Sequence, residues 1–130
     1  MNEKSKERMR RQQEFIYEGL VNEFNLPVVE DEFSSDELPA SFNHFLIVYG
    51  DFQKNQSHAQ LLQEIYVIYL SEDNPEVETT TVDIISTISK VPGVEFNRTV
   101  KERLRKKDSD DFVDQVTLIF RRKVSYDCQT

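Results

Sequence analysis

The hydrophobic pattern of the chain is clearest in residues 61–70, which read LLQEIYVIYL. Aromatic and β-branched residues dominate this segment, it contains no glycine or proline, and its apolar run is unbroken from Ile65 onward. Such a run is typical of a strand that is covered on both faces. The segment therefore predicts a central strand of a sheet rather than an edge strand.

A helix is predicted shortly after this strand. Asn74 suits the N-cap, Pro75 suits the first helical position, and Glu76 favours the positive end of the helix. Residues 77–91 conflict with this, because most of them are β-branched and locally prefer a strand. However, positions i, i+4, i+7, i+8 and i+11 of this segment share one helical face, whereas strand alternation would place Ile85 opposite Ile84 and Ile88. We therefore predict a helix whose buried face consists of Val77, Thr81, Ile84, Ile85 and Ile88.

The remaining elements are less strongly patterned. A helix is predicted over about Lys6–Phe24, followed by a short extended piece at residues 26–29. Residues 41–50 read as a strand that pairs with the central strand as a hairpin. Residues 94–100 and 112–120 form a second predicted hairpin, and the returning strand alternates as a half-buried strand does. The order is an N-terminal helix, two strands, a helix and two strands, which predicts an α+β fold with two helices packed on a mostly antiparallel sheet.

The N-terminal helix combines an apolar stripe with a basic tip. We expect the stripe to pack in the core and residues 1–8 to be disordered. An alternative is that the cations of the tip contact an acidic neighbouring molecule. The stripe consists of Tyr17, Leu20, Val21 and Phe24, and the cations are Arg8, Arg10 and Arg11.

The composition indicates one soluble domain covering residues 1–130. With 38% hydrophobic and 31% charged residues, the chain has enough apolar residues for one core and is not disordered by composition. No apolar run approaches the roughly 20 residues of a membrane-spanning helix, and the N-terminus is too polar for a signal segment. Cys128 is the only cysteine, so a disulfide framework is excluded. We therefore expect an intracellular protein that has no membrane partner.

The net charge of −8 is distributed unevenly along the chain. Residues 12–53 and 55–89 contain no lysine or arginine. Residues 30–40 read as an acidic connector, and residues 98–111 as a mobile basic hairpin. The two can be complementary between copies of the chain, as in a head-to-tail ring, although the same pattern also fits solvated faces. The candidate interface residues are Glu30, Asp31, Glu32, Asp36, Glu37, Arg98, Lys101, Arg103, Arg105, Lys106 and Lys107.

The sequence offers no catalytic, cofactor or metal site. His44 and His58 are the only histidines, and neither belongs to a triad-like arrangement or a complete zinc ligand set. The acidic connector lacks the ligand spacing and central glycine of an EF-hand loop, which favours a solvated loop over a calcium site. The basic hairpin could contact phosphates, but Phe96 is the only aromatic residue nearby, so a protein partner is favoured. We expect no enzymatic activity.

The order and texture of the elements are similar to those of a known family. A helix is followed by Leu38-Pro39 and an aromatic strand up to Tyr49, then by a strand containing QEIYV at residues 63–67 and a helix containing VDII at residues 82–85. A charged hairpin closes with QVTLIFRR at residues 115–122. Over about residues 10–125, this arrangement resembles the tail-terminator, or tail-to-head joining, proteins of long-tailed bacteriophages with siphovirus morphology.

The resemblance implies a structural protein of the virion that needs no catalytic residue or cofactor. Its subunits would assemble as a hexameric ring on the head-proximal end of the tail tube, stop tube polymerisation, and join the tail to the head connector. The partners would be further copies of the chain, the tail tube protein, and the head-completion or connector protein. Assembly would take place in the host cytoplasm, and DNA would pass through the ring without specific binding.

Other functions are compatible with the same sequence. A neighbouring neck or head-completion protein, or a tube subunit, would belong to the same assembly class. A small acidic regulator could bind a host or phage protein with a negative face that imitates nucleic acid. A nucleic-acid-binding module would require salt-sensitive retention of DNA by the basic hairpin.

Overall fold

The computed structural model describes residues 3–30, 43–56, 59–105 and 111–126. Their elements are α1 (Glu3–Phe24), β1 (Val28–Glu30), β2 (His44–Lys54), β3 (Gln60–Glu72), α2 (Val77–Ser89), β4 (Val94–Arg105) and β5 (Phe112–Ser125). The strands form one sheet in the order β1-β2-β3-β5-β4. β1 is parallel to β2, and the other pairs are antiparallel. The predicted α+β fold with a mostly antiparallel sheet is confirmed, and the short extended piece becomes the edge strand β1.

β3 lies in the middle of the sheet, as its composition predicts, but only one of its faces is fully buried. From Gln63 to Ser71 every second side chain is buried, whereas the side chains between them are half-buried. The buried face packs on both helices, because Ile16 of α1 and Ile84 of α2 belong to the same hydrophobic cluster as Ile65. The prediction that β3 is covered on both faces is therefore wrong for the residues described, since its second face keeps partial contact with solvent.

α2 follows the period predicted for it. Val77, Ile84 and Ile88 are buried, Thr81 and Ile85 are half-buried, and Val82 on the opposite side is 63% exposed. Burial of this face against the sheet overrides the local strand preference of the β-branched residues.

The start of α2 differs from the prediction. Asn74 accepts a hydrogen bond from the backbone amide of Glu76 through its Oδ1 at 2.8 Å, and Pro75 and Glu76 lie in a turn. The helix therefore begins at Val77 rather than at Pro75. Asn74 still satisfies a backbone donor, but it does so as an Asx turn ahead of the helix.

The stripe predicted for α1 is confirmed only in part. Gln12, Ile16 and Leu20 are buried and Phe24 packs against the core, whereas Tyr17 is 38% exposed. The difference follows from Gln12, a polar residue that belongs to the buried face and that a search for apolar periodicity overlooks. Residues 3–8, which were predicted to be disordered, lie within α1, and residues 1–2 lie outside the described part of the chain.

Candidate interaction surface

The predicted acidic and basic interface residues fall at opposite edges of the sheet. Arg98, Lys101, Arg103 and Arg105 lie on β4, an edge strand on which every residue after Val94 is exposed. Glu30 ends β1 at the other edge. The remaining predicted residues, Asp31, Glu32, Asp36, Glu37, Lys106 and Lys107, lie outside the described residues.

The cations of β4 do not form one basic patch, because strand alternation divides them between the two faces of the sheet. Arg98 is opposite Ile119 in the ladder, whereas Lys101 is opposite Val116 and points to the helix side. Lys101 also lies 3.6 Å from a carboxylate oxygen of Glu78 in α2. Part of the basic charge predicted for an interface is therefore used within the subunit.

Arg103 is the clearest case of such internal use. Its Nε and Nη2 donate hydrogen bonds to the two carboxylate oxygens of Asp114 at 2.8 and 3.2 Å, and Asp114 is fully buried. The hydrogen bond to this carboxylate raises the pKa of Arg103, and the guanidinium lies 4.1 Å from the centre of the Phe112 ring. Because a buried carboxylate needs a cation, Arg103 has a structural role rather than a free interface charge.

The side of the sheet away from the helices, called here the second face, has an apolar centre. Cross-strand pairs bring Leu46 next to Ile68 and Tyr66 next to Ile119. Val100 and Leu104 extend this region onto β4, where they are 41% and 50% exposed. By register, the apolar members of the second face are Val29, Leu46, Val48, Leu62, Tyr66, Ile68, Leu70, Val100, Leu104, Val113 and Ile119. Val113 and Ile119 are each only 5% exposed, so the accessible apolar area comes from the other members.

Charged side chains border one end of the second face. Glu64 on β3, Arg121 on β5 and Glu95 on β4 are cross-strand neighbours in one row, and Arg121 Nε lies 4.0 Å from a carboxylate oxygen of Glu95. An apolar centre with a charged border is the composition of a surface that packs against another protein.

Tyr66 lies between the apolar centre and this border, so the pKa of its hydroxyl depends on the environment of the second face. Burial is the main cause that raises the pKa of Tyr66 above its ordinary value of 10.0, and its hydroxyl also donates to Glu64 at 3.1 Å. The carboxylate of Asp51 adds to the increase, whereas Arg98 opposes it. Because the folded state favours neutral Tyr66, the associated stability is fully present below the unfolded pKa and is lost as pH rises through the folded pKa.

We therefore expect Tyr66 to ionise late in an alkaline titration followed by the ultraviolet absorbance of tyrosinate. Tyr66→Phe should remove a component that titrates above the ordinary pKa of tyrosine, and Glu64→Gln should move that component to lower pH. Loss of a component at or below the ordinary pKa in Tyr66→Phe would contradict the structure.

Sequence reasoning missed a buried cation on the helix side. Arg122 is 1% exposed, and its guanidinium donates to Gln63 Oε1 at 2.8 Å, the carbonyl oxygen of Met9 at 3.2 Å and Gln12 Oε1 at 3.3 Å. All three acceptors are neutral, and burial lowers the pKa of Arg122. The alternation of buried residues along β5, extended two positions beyond Phe120, would have identified it.

The part of the chain that the structure describes contains no cluster of histidine, cysteine, aspartate and glutamate side chains that could hold a metal ion. Its helices also include none with the length and apolar character needed to cross a membrane. His44 is buried on β2, and His58 lies outside the described residues.

Comparison with known proteins finds no family model and no curated protein that matches this chain.

Proposed function

We propose that this chain is a structural subunit of a bacteriophage particle, which forms a ring on the head-proximal end of the tail tube and joins the tail to the head connector. The observation that carries the proposal is the second face, whose partly exposed apolar side chains lie beside a charged border. Apolar area that remains in contact with water in one subunit becomes a source of binding free energy when another subunit covers it.

The placement of charge at the two edges of the sheet supports contact between copies of the chain. Glu30 closes the edge strand β1, and the cations of β4 lie at the opposite edge. A head-to-tail contact joins two different surfaces of the same chain, so that the β1 edge of each subunit meets the β4 edge of the next, and the contact closes into a ring when the rotation permits. Arg98 and Arg105 are the β4 cations that remain for this contact, since Lys101 and Arg103 pair with Glu78 and Asp114 of their own subunit. Complementary charges then set the register, while apolar contact supplies the affinity.

β4 also has the length and the edge position of a strand that could pair with a strand of another subunit. It has 12 residues and forms one edge of the sheet. Long edge strands pair indiscriminately unless charged side chains interrupt them, and Arg98, Lys101, Glu102, Arg103 and Arg105 do so here. We infer that these charges keep free subunits apart until the tail tube brings them together.

In this role the ring stops growth of the tube on one side and binds the head-completion or connector protein on the other. Its subunits assemble in the host cytoplasm and remain at the head–tail junction of the virion. The function requires no catalysis, cofactor or membrane. DNA passes through the ring, and the net charge of −8 per subunit disfavours retention of the DNA.

The proposal can be tested by complementation in a phage or prophage that carries the gene. Deletion should give DNA-filled heads that are separate from unjoined or overlong tails in negative-stain electron microscopy. Wild-type protein should restore joined particles, whereas Leu104→Asp and Val100→Asp should not. A charge buried without a partner costs several kcal/mol, so we expect subunit association to weaken by about 100-fold or more.

Val82→Asp is the matched control. Val82 is an apolar residue on the exposed side of α2, 63% exposed and away from the second face, so its substitution should leave particle yield unchanged. Thermal unfolding of each purified variant separates loss of assembly from loss of the fold. Normal infectious particles from the deletion mutant would refute the proposal and favour the acidic regulator, whose partner a pull-down would then identify.

A further inference from the structure

A basic cavity of about 380 Å³ lies where α1, the turn before β4 and the end of β5 meet. Arg8, Arg121, Arg122 and Lys123 line it together with one described carboxylate, that of Glu95. The cations come from the first and last elements of the fold and are far apart in the sequence. The cavity is a product of the tertiary structure. It shares Arg121 and Glu95 with the charged border of the second face, but Arg8, Arg122 and Lys123 take no part in the ring proposal.

The positive charge of this cavity is mostly uncompensated. Arg121 reaches Glu95 only at 4.0 Å, and Arg8 and Lys123 form no ion pair with any carboxylate among the residues that the structure describes. Arg122 has only neutral acceptors, and its Nη2 is buried with no hydrogen-bond partner. Buried cations ordinarily have an anionic partner, because the cost of removing their hydration is otherwise not offset.

Hydrogen bonds hold one of these side chains, the buried Arg122, in place. Gln12 is 3% exposed. Its Nε2 donates to the carbonyl oxygen of Pro92 at 3.0 Å, and its Oε1 accepts a hydrogen bond from Arg122 at 3.3 Å. The amide of Gln12 thus connects the buried guanidinium to the turn that forms the wall of the cavity.

Gly93 brings Arg8 close to the same wall. Its φ of +85° belongs to the left-handed region, and a Cβ at this position would lie 2.5 Å from Nη2 of Arg8 and 2.6 Å from Nε2 of Gln12. Only glycine leaves space for both side chains against the backbone here. The exposed Arg8 guanidinium therefore lies against the backbone of this turn, at the rim of the cavity.

We propose that this cavity binds a phosphate-class oxyanion. Guanidinium groups present several donors in a fixed plane and match the oxygens of phosphate, which carries more charge and more acceptor atoms than a carboxylate. The anion would contact the exposed side chains of Arg8, Arg121 and Lys123. Arg122, whose guanidinium is buried on the helix side of β5, would add the attraction of its positive charge without direct contact. Two sources share this chemistry, free inorganic phosphate or pyrophosphate and the backbone of a nucleic acid.

The test measures thermal unfolding and calorimetric binding of the full chain in sodium phosphate, with sodium chloride and sodium acetate at matched ionic strength as references. We expect phosphate to raise the unfolding temperature beyond either reference. The Arg8→Gln/Lys123→Gln double variant should lose this increase and bind phosphate about tenfold or more weakly, as expected for loss of charge-assisted hydrogen bonds. The Nε–H resonance of Arg122 should also shift when phosphate is added to the wild-type protein.

The Arg10→Gln/Lys90→Gln double variant provides the control, because it removes the same amount of charge from exposed positions that do not line the cavity. It should retain the response to phosphate. An equal loss in both double variants, or an equal response to acetate, would refute the proposal and indicate general charge screening. No response beyond chloride would refute it as well.

A short single-stranded DNA distinguishes the two sources. Binding of this DNA that pyrophosphate displaces and that the Arg8→Gln/Lys123→Gln variant lacks would identify backbone phosphate as the ligand. Binding of free phosphate without binding of DNA would identify a small anion. Both results support a phosphate site.

Discussion

Replacing Phe45 with alanine is expected to lower the free energy of unfolding by about 3–5 kcal/mol. Phe45 is fully buried on β2. Its ring stacks on that of Tyr69 in β3 with a centroid separation of 5.2 Å, and it meets Phe24 of α1 edge-on at 5.5 Å. Truncation would leave a cavity at the point where two strands and the end of a helix meet, and it would remove two aromatic contacts. The loss would be a large fraction of the 5–15 kcal/mol typical of a domain.

The neighbouring residue provides the control for this prediction. Leu46 points to the second face and is only half-buried, so Leu46→Ala should cost about 1 kcal/mol in the isolated subunit. Urea denaturation of both variants, followed by circular dichroism, measures the difference. If Leu46→Ala cost as much as Phe45→Ala, the second face would be a second core, and the proposed interface would lose its support. A large effect of Leu46→Ala on assembly alone would strengthen it.

Replacing Arg122 with glutamate is the second substitution expected to have a large effect, with a loss of about 3–5 kcal/mol in the free energy of unfolding. The guanidinium of Arg122 now donates to Gln63 Oε1, Gln12 Oε1 and the carbonyl oxygen of Met9. A carboxylate in the same buried place would face these acceptors with no donor to offer in its ionised form. Both the charge and the acceptors would be left without partners.

Arg121→Glu is the matched comparison, because the adjacent residue undergoes the same change of charge. Arg121 is exposed and lies between Glu64 and Glu95 in the sheet. The new carboxylate would meet two like charges in contact with solvent, so the cost should be about 1–2 kcal/mol, below that at position 122. Arg122→Met should lower the free energy of unfolding by an amount between those of Arg121→Glu and Arg122→Glu. Methionine removes the buried charge, and the two glutamine amides can reorient to find other partners. Equal effects at positions 121 and 122 in urea denaturation would show that Arg122 is not buried as the structure has it.

The proposals for the ring and for the anion cavity fail independently. The substitutions at Val100 and Leu104 address the second face, whereas those at Arg8 and Lys123 address the cavity at the end of the sheet. Normal assembly without a response to phosphate would support the ring proposal and refute the anion cavity. The opposite result would leave a phosphate-binding protein whose second face has another partner.

The sequence alone determined the type of those helices and strands whose buried side chains recur at a regular spacing. The helical period of the isoleucines in α2 and the burial of Val116, Leu118 and Phe120 in β5 both depend on neighbours within one element, and both are confirmed. The predicted half-burial of β5 is confirmed only in part, because Val113 and Ile119 of the opposite parity are also buried. The apolar run of β3 likewise predicted its central place in the sheet. These features follow from residues a few positions apart, since burial of one face imposes a period on the sequence.

The tertiary structure decided which charges and which apolar side chains are available at the surface. The sequence located the cations of β4, but the register with β5 decided that Arg103 neutralises Asp114. The unbroken apolar run of β3 does not show whether its second face is covered by the same subunit or by a partner. The tertiary structure shows that α1 and α2 both pack on the opposite face. The alternation along β5 places Arg122 on the buried side, but its hydrogen-bond partners and the basic cavity depend on contacts between the first helix and the last strand, which no local pattern encodes.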